Sequence, residues 1–579
     1  MYQLFSLLLV ALLLGFPSGL RAQSVPAAPP VVTTARPPVP GLEGERLTPQ
    51  QADHVAALGQ VWGLLKYFHP AVAAGQRDWD AEFLRQLPAI VACCSVAERS
   101  RRLSAWITSL GPVPACPACA TPPTAPVRRA PDLHWMQDKG RFEAPLRQQL
   151  AFIAANRYQG VPYYVSEAPA GNPAFAHEAA YADQAVPSAG LRLLGLCRYW
   201  NMVHYYYPYA YTLGADWAKV LPELLPRFAG ATTPLAYRHA VLALITRLHD
   251  GHATLHDPLL EAEAGDYLVA AALQFIDEQA VVLRVRHDGL VPPSPLEPGD
   301  VITHIDGTAV ADLVRQRLPE TPGSNRAAQL RTIALNLLYG PTPEATLQIV
   351  RAGQPLRLVA SRFKVGTVPP VRPPAADSMY RFLTPAVGYI DMARLTKAKL
   401  PALMQAFRQT QGIVVDLRNY PAEFLPRVLP GYFLARPATF AQYSVFDLQY
   451  PGRFLALPAD TLLPQGPAPY AGRLVVLVNE SSLSLAEYTA MALRATPHCT
   501  LLGSPTAGAD GNVSRIVLPG GLATGLSGIG IYYPDGRETQ RVGILPDVAL
   551  RPTIAGLRAG RDELRDRAVQ LIVDGSAAR

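Results

Sequence analysis

Three serines stand at 481, 482 and 484 in RLVVLVNESSLSLAEYTAMALRA (473–495), between an apolar run and a stretch of alanine, methionine and leucine. The first run reads as a buried strand and the second as a helix. A hydroxyl at such a junction is held at the C-terminal edge of a sheet, where ligands bind in α/β layers. The helix N-terminus adds unpaired N–H groups that stabilise a developing oxyanion. Acyl transfer through a serine is the chemistry this placement permits. A local reading competes with it, because Ser484 and Glu487 have the spacing of a capping box. Two further segments have the build of loops at the same sheet edge. One is QGIVVDLRNYPAEF (411–424), a strand ending in Asp416, Arg418 and Asn419, and the other is the Gly-rich GSPTAGADGNVSRIVLPGG (503–521). An imidazole, with its pKa near about 6.5, can take a serine proton at neutral pH. RLHDGHATL (247–255) offers His249 and His252, with Asp250-Gly251 as a turn between them.

The elements that position these residues begin with a repeat. Displaced by 138 residues, Trp62 meets Trp200, Tyr67 meets Tyr205, Asp78-Trp79 meets Asp216-Trp217, and Ile107-Thr108 meets Ile245-Thr246. Two tryptophan pairs in one register, with apolar residues at helical spacing, predict two related helical units at about 50–115 and 188–253. The second unit ends in RLHDGHATL and the first in SLGPVP, so only the second keeps an ionisable residue at its exit. Residues 120–185, rich in Pro and Tyr, predict irregular structure with brief strands. Residues 264–362 predict strands at VVLRVR (281–286), DVITHIDG (300–307) and TLQIV (346–350). From 386 to 552, VGYIDM, GIVVDL and RLVVLV alternate with helical stretches, which predicts a largely parallel sheet. GRDELRDRAVQLIV (560–573) predicts a closing amphipathic helix.

With 579 residues, 49% of them hydrophobic and 17% charged, the chain can bury several cores and is not disordered as a whole. Its net charge of +7 is scattered and forms no basic run, which argues against a nucleic-acid partner. The apolar run Leu4–Phe16, followed by Pro17, Gly19 and Ala22, predicts a secretory signal peptide over 1–22. No later stretch is long and apolar enough to predict a stable membrane span. A secreted, periplasmic or envelope-associated protein is expected. Cys93, Cys94, Cys116 and Cys119 fit disulfides, free thiols or half of a zinc site, and their connectivity is not readable. Cys197 and Cys499 lie in apolar contexts that predict buried thiols.

Seven segments, in this order, resemble the tail-specific or C-terminal processing peptidase family, on its tricorn-like serine peptidase branch. They are LHDGHATL (248–255), LEPGDVITHIDGTAV (296–310), VGYIDM (387–392), VVDLRNYP (414–421), VLVNESSLSLAE (476–487), GSPTAGADGN (503–512) and QRVGILPDV (540–548). The resemblance covers roughly 245–575. It implies a multidomain α+β chain with a helical N-terminal repeat region, a β-rich PDZ-like domain and an α/β core peptidase domain of the crotonase-like type. The expected divisions are 1–22 signal peptide, 23–45 Pro-rich linker, 46–187 first helical unit plus connecting segment, 188–262 second helical unit ending in the His252 loop, 263–362 PDZ-like and 363–579 core.

The resemblance places the nucleophile at Ser484. Processing peptidases of this kind pair it with a Lys in an FGKG-like turn, but here the turn reads TAGAD, with Ala509 at that position and no Lys after 400. The tricorn-like branch uses a His, which implies His252 as general base. The carboxylate expected of that branch falls on Gln540, with Glu538 two residues earlier and Asp250 as a further possibility. Leu485 and the 419–422 loop (Asn419, Tyr420, Ala422) are implied to supply the oxyanion hole and substrate contacts, together with Gly508. Where the family has Gly-Gly after the Pro of that loop, this chain has Ala422-Glu423, which restricts backbone approach to substrate. The PDZ-like module would bind a peptide by strand addition or serve a purely structural role. No cofactor or catalytic metal is implied. A peptide or unfolded protein is the expected substrate. A non-catalytic peptide-binding scaffold and a serine esterase are the alternatives.

Overall fold

The computed structural model describes residues 47–286, 292–367, 371, 379–466 and 468–575. The apolar leader and Pro-rich tether at 1–45 lie outside the described residues. The described chain mixes helix and sheet, as its changing periodicities predict.

The first helical unit is α1 (Pro49–Phe68), α2 (Trp79–Val91) and α3 (Val96–Ser109). Helix α4 (Ala144–Ala155) follows. The second unit is α5 (Ala189–Tyr206), α6 (Asp216–Ala229) and α7 (Pro234–Thr246), in the same order as the first. Helices α1 and α5 are apolar nearly all round and buried along most of their length, so they form the centre. Trp62 and Trp79 stack with centroids 6.5 Å apart, and Trp200 and Trp217 repeat the arrangement at 6.3 Å. Helix α4 corrects the expectation of irregular structure between the units. Its buried Leu146, Leu150 and Ile153 keep helical spacing, a signal outweighed in the sequence by the surrounding Pro and Tyr.

Residues 267–364 form an eight-stranded sheet in which VVLRVR, DVITHIDG and TLQIV fall on Gln279–Val285, Val301–Ile305 and Glu344–Arg351. Helix α8 (Arg326–Asn336), capped by the Asn325 side chain, packs on the strand Ala271–Ile276.

The C-terminal region contains β1 (Tyr380–Thr384), β2 (Val387–Asp391), β3 (Gly412–Asp416) and β4 (Arg473–Val478). Helix α9 (Leu485–Arg494) comes next, then β5 (Cys499–Gly503), β6 (Val513–Leu518), β7 (Leu522–Ser527), β8 (Val548–Ala549) and α10 (Glu563–Val573). The sheet order is β1-β2-β3-β4-β5-β8, parallel from β2 onward, with β1 antiparallel at the edge. Ile413, Val415, Leu474 and Val476 pack on the α9 side, while Val414, Val475 and Leu477 pack on the α10 side. Burial on both faces explains why these strands read as unbroken apolar runs. The β6–β7 hairpin stands apart from this sheet. Its Ile516, Leu518, Leu522 and Leu526 belong to the core of the helical units.

Cys116 and Cys119 form a disulfide, Cys93 and Cys94 are thiols, and Cys197 is buried. Cys499 is only half-buried, because it opens β5 rather than lying within it.

Candidate active site

Ser484 sits between β4 and α9 with φ 56° and ψ −115°, a backbone state rare for a residue with a Cβ. Such a turn exposes the side chain at a strand–helix corner. A buried carboxylate holds it there. Glu487 accepts the N–H groups of Ser484 (3.1 Å), Gly508 (2.8 Å) and Ala509 (3.0 Å), and the Thr506 hydroxyl donates to it as well. The Ser484–Glu487 pair has the capping-box relation its spacing predicts. Burial pushes the Glu487 carboxyl above its ordinary range, against the pull of these four donors. Ser482 is committed elsewhere, donating its hydroxyl to the Leu417 carbonyl at 2.8 Å. Of these two serines it is the half-buried Ser484 that remains for chemistry.

His252 leaves the second helical unit on a loop that packs against this corner. A Cβ added at Gly251 would meet Ala509 Cβ at 3.3 Å and Leu483 Cδ1 at 3.4 Å. Leu483 precedes Ser484, and the Ala509 carbonyl accepts the Ser484 N–H at 3.0 Å. The imidazole is anchored from the other side. Its Nδ1 lies 2.9 Å from Ser527 Oγ, and that hydroxyl donates to Asp250 Oδ1 at 3.0 Å. The Asp250 carboxylate, fully buried, also accepts the N–H of Ser527 (2.7 Å) and of His252 (3.0 Å). Ser527 has one hydroxyl proton. With that proton given to Asp250, Ser527 accepts from Nδ1–H, and the network assigns the lone pair to Nε2. Burial holds His252 below its ordinary pKa, and the Asp250 charge opposes this in part.

Gln540 and Glu538 are placed differently from the expectation. Gln540 is buried and donates to the Tyr207 hydroxyl at 3.1 Å. Glu538 accepts from the Tyr211 hydroxyl and lies 3.5 Å from Arg128. Among the described residues neither is hydrogen-bonded to His252, because the Asp250–Ser527 pair occupies its Nδ1 side. Leu485 is the first residue of α9, so its N–H has no intrahelical acceptor. The Ala422 N–H instead donates to the Met392 carbonyl at 2.9 Å, which removes it as a free oxyanion donor. The Gly508 N–H is likewise taken by Glu487, and its φ of +79° lets the loop close against Arg541. Asn419 is half-buried, and Tyr420 is exposed. Arg418 turns away from the site to bridge Asp416 (2.6 Å) and Asp562 (2.8 Å), which ties β3 to the start of α10.

Sequence reasoning missed two groups. Ser527 carries no motif of its own and reaches His252 only because the β6–β7 hairpin enters the helical core. Ser324 and Asn325, just before α8, join the two halves of the site. Ser324 Oγ accepts the Gly251 N–H at 2.7 Å, and the Asn325 amide donates to the carbonyls of Thr506 (2.9 Å) and Ala507 (3.1 Å). Asn325→Ala strips both carbonyls of their donor, and a loss of about 1–3 kcal/mol is expected from denaturant unfolding.

Residues 386–550 match the sequence model of peptidase family S41. The chain carries a peptidase family S41 domain. Over 283 residues it is 25% identical to the chloroplastic C-terminal processing peptidase of Tetradesmus obliquus, a match spanning 48% of this chain and 58% of that protein. Over 200 residues it is 27% identical to the carboxyl-terminal-processing protease of Synechocystis, spanning 33% of this chain and 45% of that one. The chain thus spans about half the length of the curated relatives it matches. The structure resembles that of mature CPAF complexed with lactacystin, with a TM-score of 0.52 at 14% identity, covering 67% of this chain and 99% of that one. This S41 domain includes Ser484 and Ser527 but not His252 or Asp250, which the second helical unit supplies.

Proposed function

We propose that this chain is a serine peptidase that cleaves peptide or unfolded-protein substrates, with Ser484 as nucleophile and His252 as general base. The observation that carries the reading is the His252 loop packed, at Gly251, on Leu483 and Ala509 beside a positive-φ Ser484, with Nδ1 tied to Ser527 and Asp250. In the reaction Ser484 Oγ bonds to the scissile carbonyl carbon as its proton passes to His252 Nε2. The imidazolium is stabilised through Ser527 by the Asp250 carboxylate, which takes the part expected of Gln540 or Glu538. The Leu485 N–H, with a donor from the Asn419–Tyr420 stretch, meets the oxyanion. The C–N bond then breaks as His252 returns the proton to the leaving amine. Water repeats the sequence to free the acid and restore Ser484.

The reading extends to architecture and location. Residues 363–579 act as a core of the crotonase-like type and residues 263–362 as a PDZ-like module. The Cys116–Cys119 disulfide supports a compartment outside the cytoplasm. No helix among the described residues is long and apolar enough to cross a membrane.

A fluorophosphonate probe tests the nucleophile. Labelling of the full chain at Ser484, together with hydrolysis of a peptide library, is the expected result. Labelling with turnover of simple esters alone would make the chain an esterase, and no labelling would leave a binding scaffold. The pH profile gives a second check. Burial lowers the His252 pKa, so the base stays neutral until the pH falls below the ordinary imidazole value. The acid limb of kcat/KM is expected below about pH 6.5, and a limb centred above that value contradicts His252 as the base.

A further inference from the structure

The two helical units present the same buried platform, and a cavity adjoins the second of them. In the first unit Lys66 Nζ lies 4.7 Å from the Trp62 ring, and the chain itself caps it with the Tyr164 ring at 4.4 Å and the Glu178 carboxylate at 2.6 Å. Each indole N–H of that unit donates to the other's carbonyl, Trp62 to Trp79 at 2.9 Å and Trp79 to Trp62 at 3.0 Å. In the second unit His204 occupies the register of Lys66 and stacks on Trp200 at 4.8 Å. Trp200 donates to the Trp217 carbonyl at 2.9 Å, but the buried Trp217 indole N–H has no partner among the described residues. Here the platform faces a cavity of about 520 Å³, lined by Arg129, Asp132, Trp135, Trp200, His204 and Trp217 among others.

The cavity's charges are arranged from inside outward. Arg129 is buried and donates to the carbonyls of Tyr207 (2.9 Å) and His204 (2.6 Å). Among the described residues no carboxylate lies within ion-pair distance of it, and burial pulls its pKa down to about 10. Its opposing charge is the exposed Asp132 carboxylate, beyond ion-pair distance, and a buried cation so weakly compensated is a costly arrangement that an incoming anion relieves. His204 is held neutral, its pKa lowered to about 4 by burial and by Arg129, and it donates from Nε2 to the Asp132 carbonyl at 2.9 Å. The Asp132 side chain is exposed and acidic, and fit to accept an N–H.

We infer that this cavity binds an aromatic carboxylate, the ring on the Trp200–His204 stack, the carboxylate at Arg129 and an N–H donor at Asp132. The ligand supplies to the second unit what Tyr164 and Glu178 supply to the first. A free aromatic amino acid and the aromatic C-terminal residue of a peptide both carry this chemistry. The volume lies in the range of small-ligand sites, about 300–1,000 Å³. The inference stands apart from the peptidase reading, since it concerns binding alone.

Tryptophan fluorescence and calorimetry of the full chain carrying Ser484→Ala, which leaves peptides uncut, test it. The probes are L-phenylalanine, L-phenylalaninamide, Ala-Ala-Phe, its C-terminal amide and L-leucine. Saturable binding of at least one acid is expected, with its amide and leucine at least about 10-fold weaker. Binding of phenylalanine alone identifies the free amino acid as the source, and tighter binding of Ala-Ala-Phe identifies a peptide C-terminus. Arg129→Gln should weaken the acids at least about 10-fold. Because Arg129 also braces two carbonyls, Ala218→Trp serves as a second variant that fills the cavity and should abolish binding. Equal binding of acid and amide, equal binding of leucine, no saturation by about 10 mM, or unchanged binding in Ala218→Trp overturns the inference.

Discussion

Ser484→Ala is expected to reduce kcat for peptide hydrolysis by at least about 10³-fold and to abolish fluorophosphonate labelling. The loss is large because Ser484 is the hydroxyl that forms the acyl bond in this reading, and its nearest serine in the turn is not free to replace it. Ser482 is turned into a hydrogen bond with Leu417, and Ala509 fills the place where a Lys would offer an alternative base. The substitution removes the Ser484 side of the capping box, at a cost of about 1 kcal/mol, and should otherwise leave the fold in place. The positive φ at 484 costs alanine about what it costs serine. The bonds from Glu487 to the backbone of Ser484, Gly508 and Ala509 involve no Ser484 side-chain atom. The measurement is kcat and KM alongside the unfolding midpoint. A stable variant that hydrolyses peptides at the parent rate would remove Ser484 from the mechanism.

The second large effect is expected at Asp250→Asn, which should lower kcat by about 10²–10⁴-fold with KM little changed. Asp250 acts through other residues and touches no substrate, so it is a positioning residue. Its carboxylate accepts three donors, the N–H and hydroxyl of Ser527 and the N–H of His252. An amide presents a donor where one of those acceptors stood. Ser527 then loses the partner that makes it accept from Nδ1–H, and the base is no longer held in the tautomer with a free Nε2. The sign of the pH shift separates this from a merely structural role. The Asp250 charge raises the His252 pKa against burial, so its removal lowers that pKa further. The acid limb of kcat/KM should move to lower pH in the variant. Ser527→Ala should give a milder loss, about 10-fold, since the carboxylate remains 3.7 Å from Nδ1. Parent-like kcat in Asp250→Asn, or a limb displaced upward, would contradict the relay.

How far the sequence could be read follows from the range of each interaction. The strand–serine–helix order at 473–495 was legible because a buried parallel strand and its following helix are specified by adjacent residues. The same holds for the Trp62–Trp79 platform and its copy, where one helix pair is built from one short stretch. Helix α4 was hidden by its flanks, although its own periodicity was sound. The oxyanion contacts were only half legible. The free N–H of Leu485 follows from its place at a helix start, whereas the engagement of Ala422 with Met392 depends on a loop's path.

The sequence by itself determined that a hydroxyl stands at a strand–helix corner and that an imidazole leaves the second helical unit, because both depend on neighbours a few residues away. Tertiary structure decided what completes the base. Asp250 meets Ser527 across 277 positions, and Ser324 meets Gly251 across 73. Those contacts exist because a hairpin of the C-terminal region buries Ile516, Leu518, Leu522 and Leu526 among the helices. Hydrophobic burial carries no register that a motif could record: many apolar residues would drive the same docking. The hydrogen bonds it brings together therefore become visible only once the chain is packed.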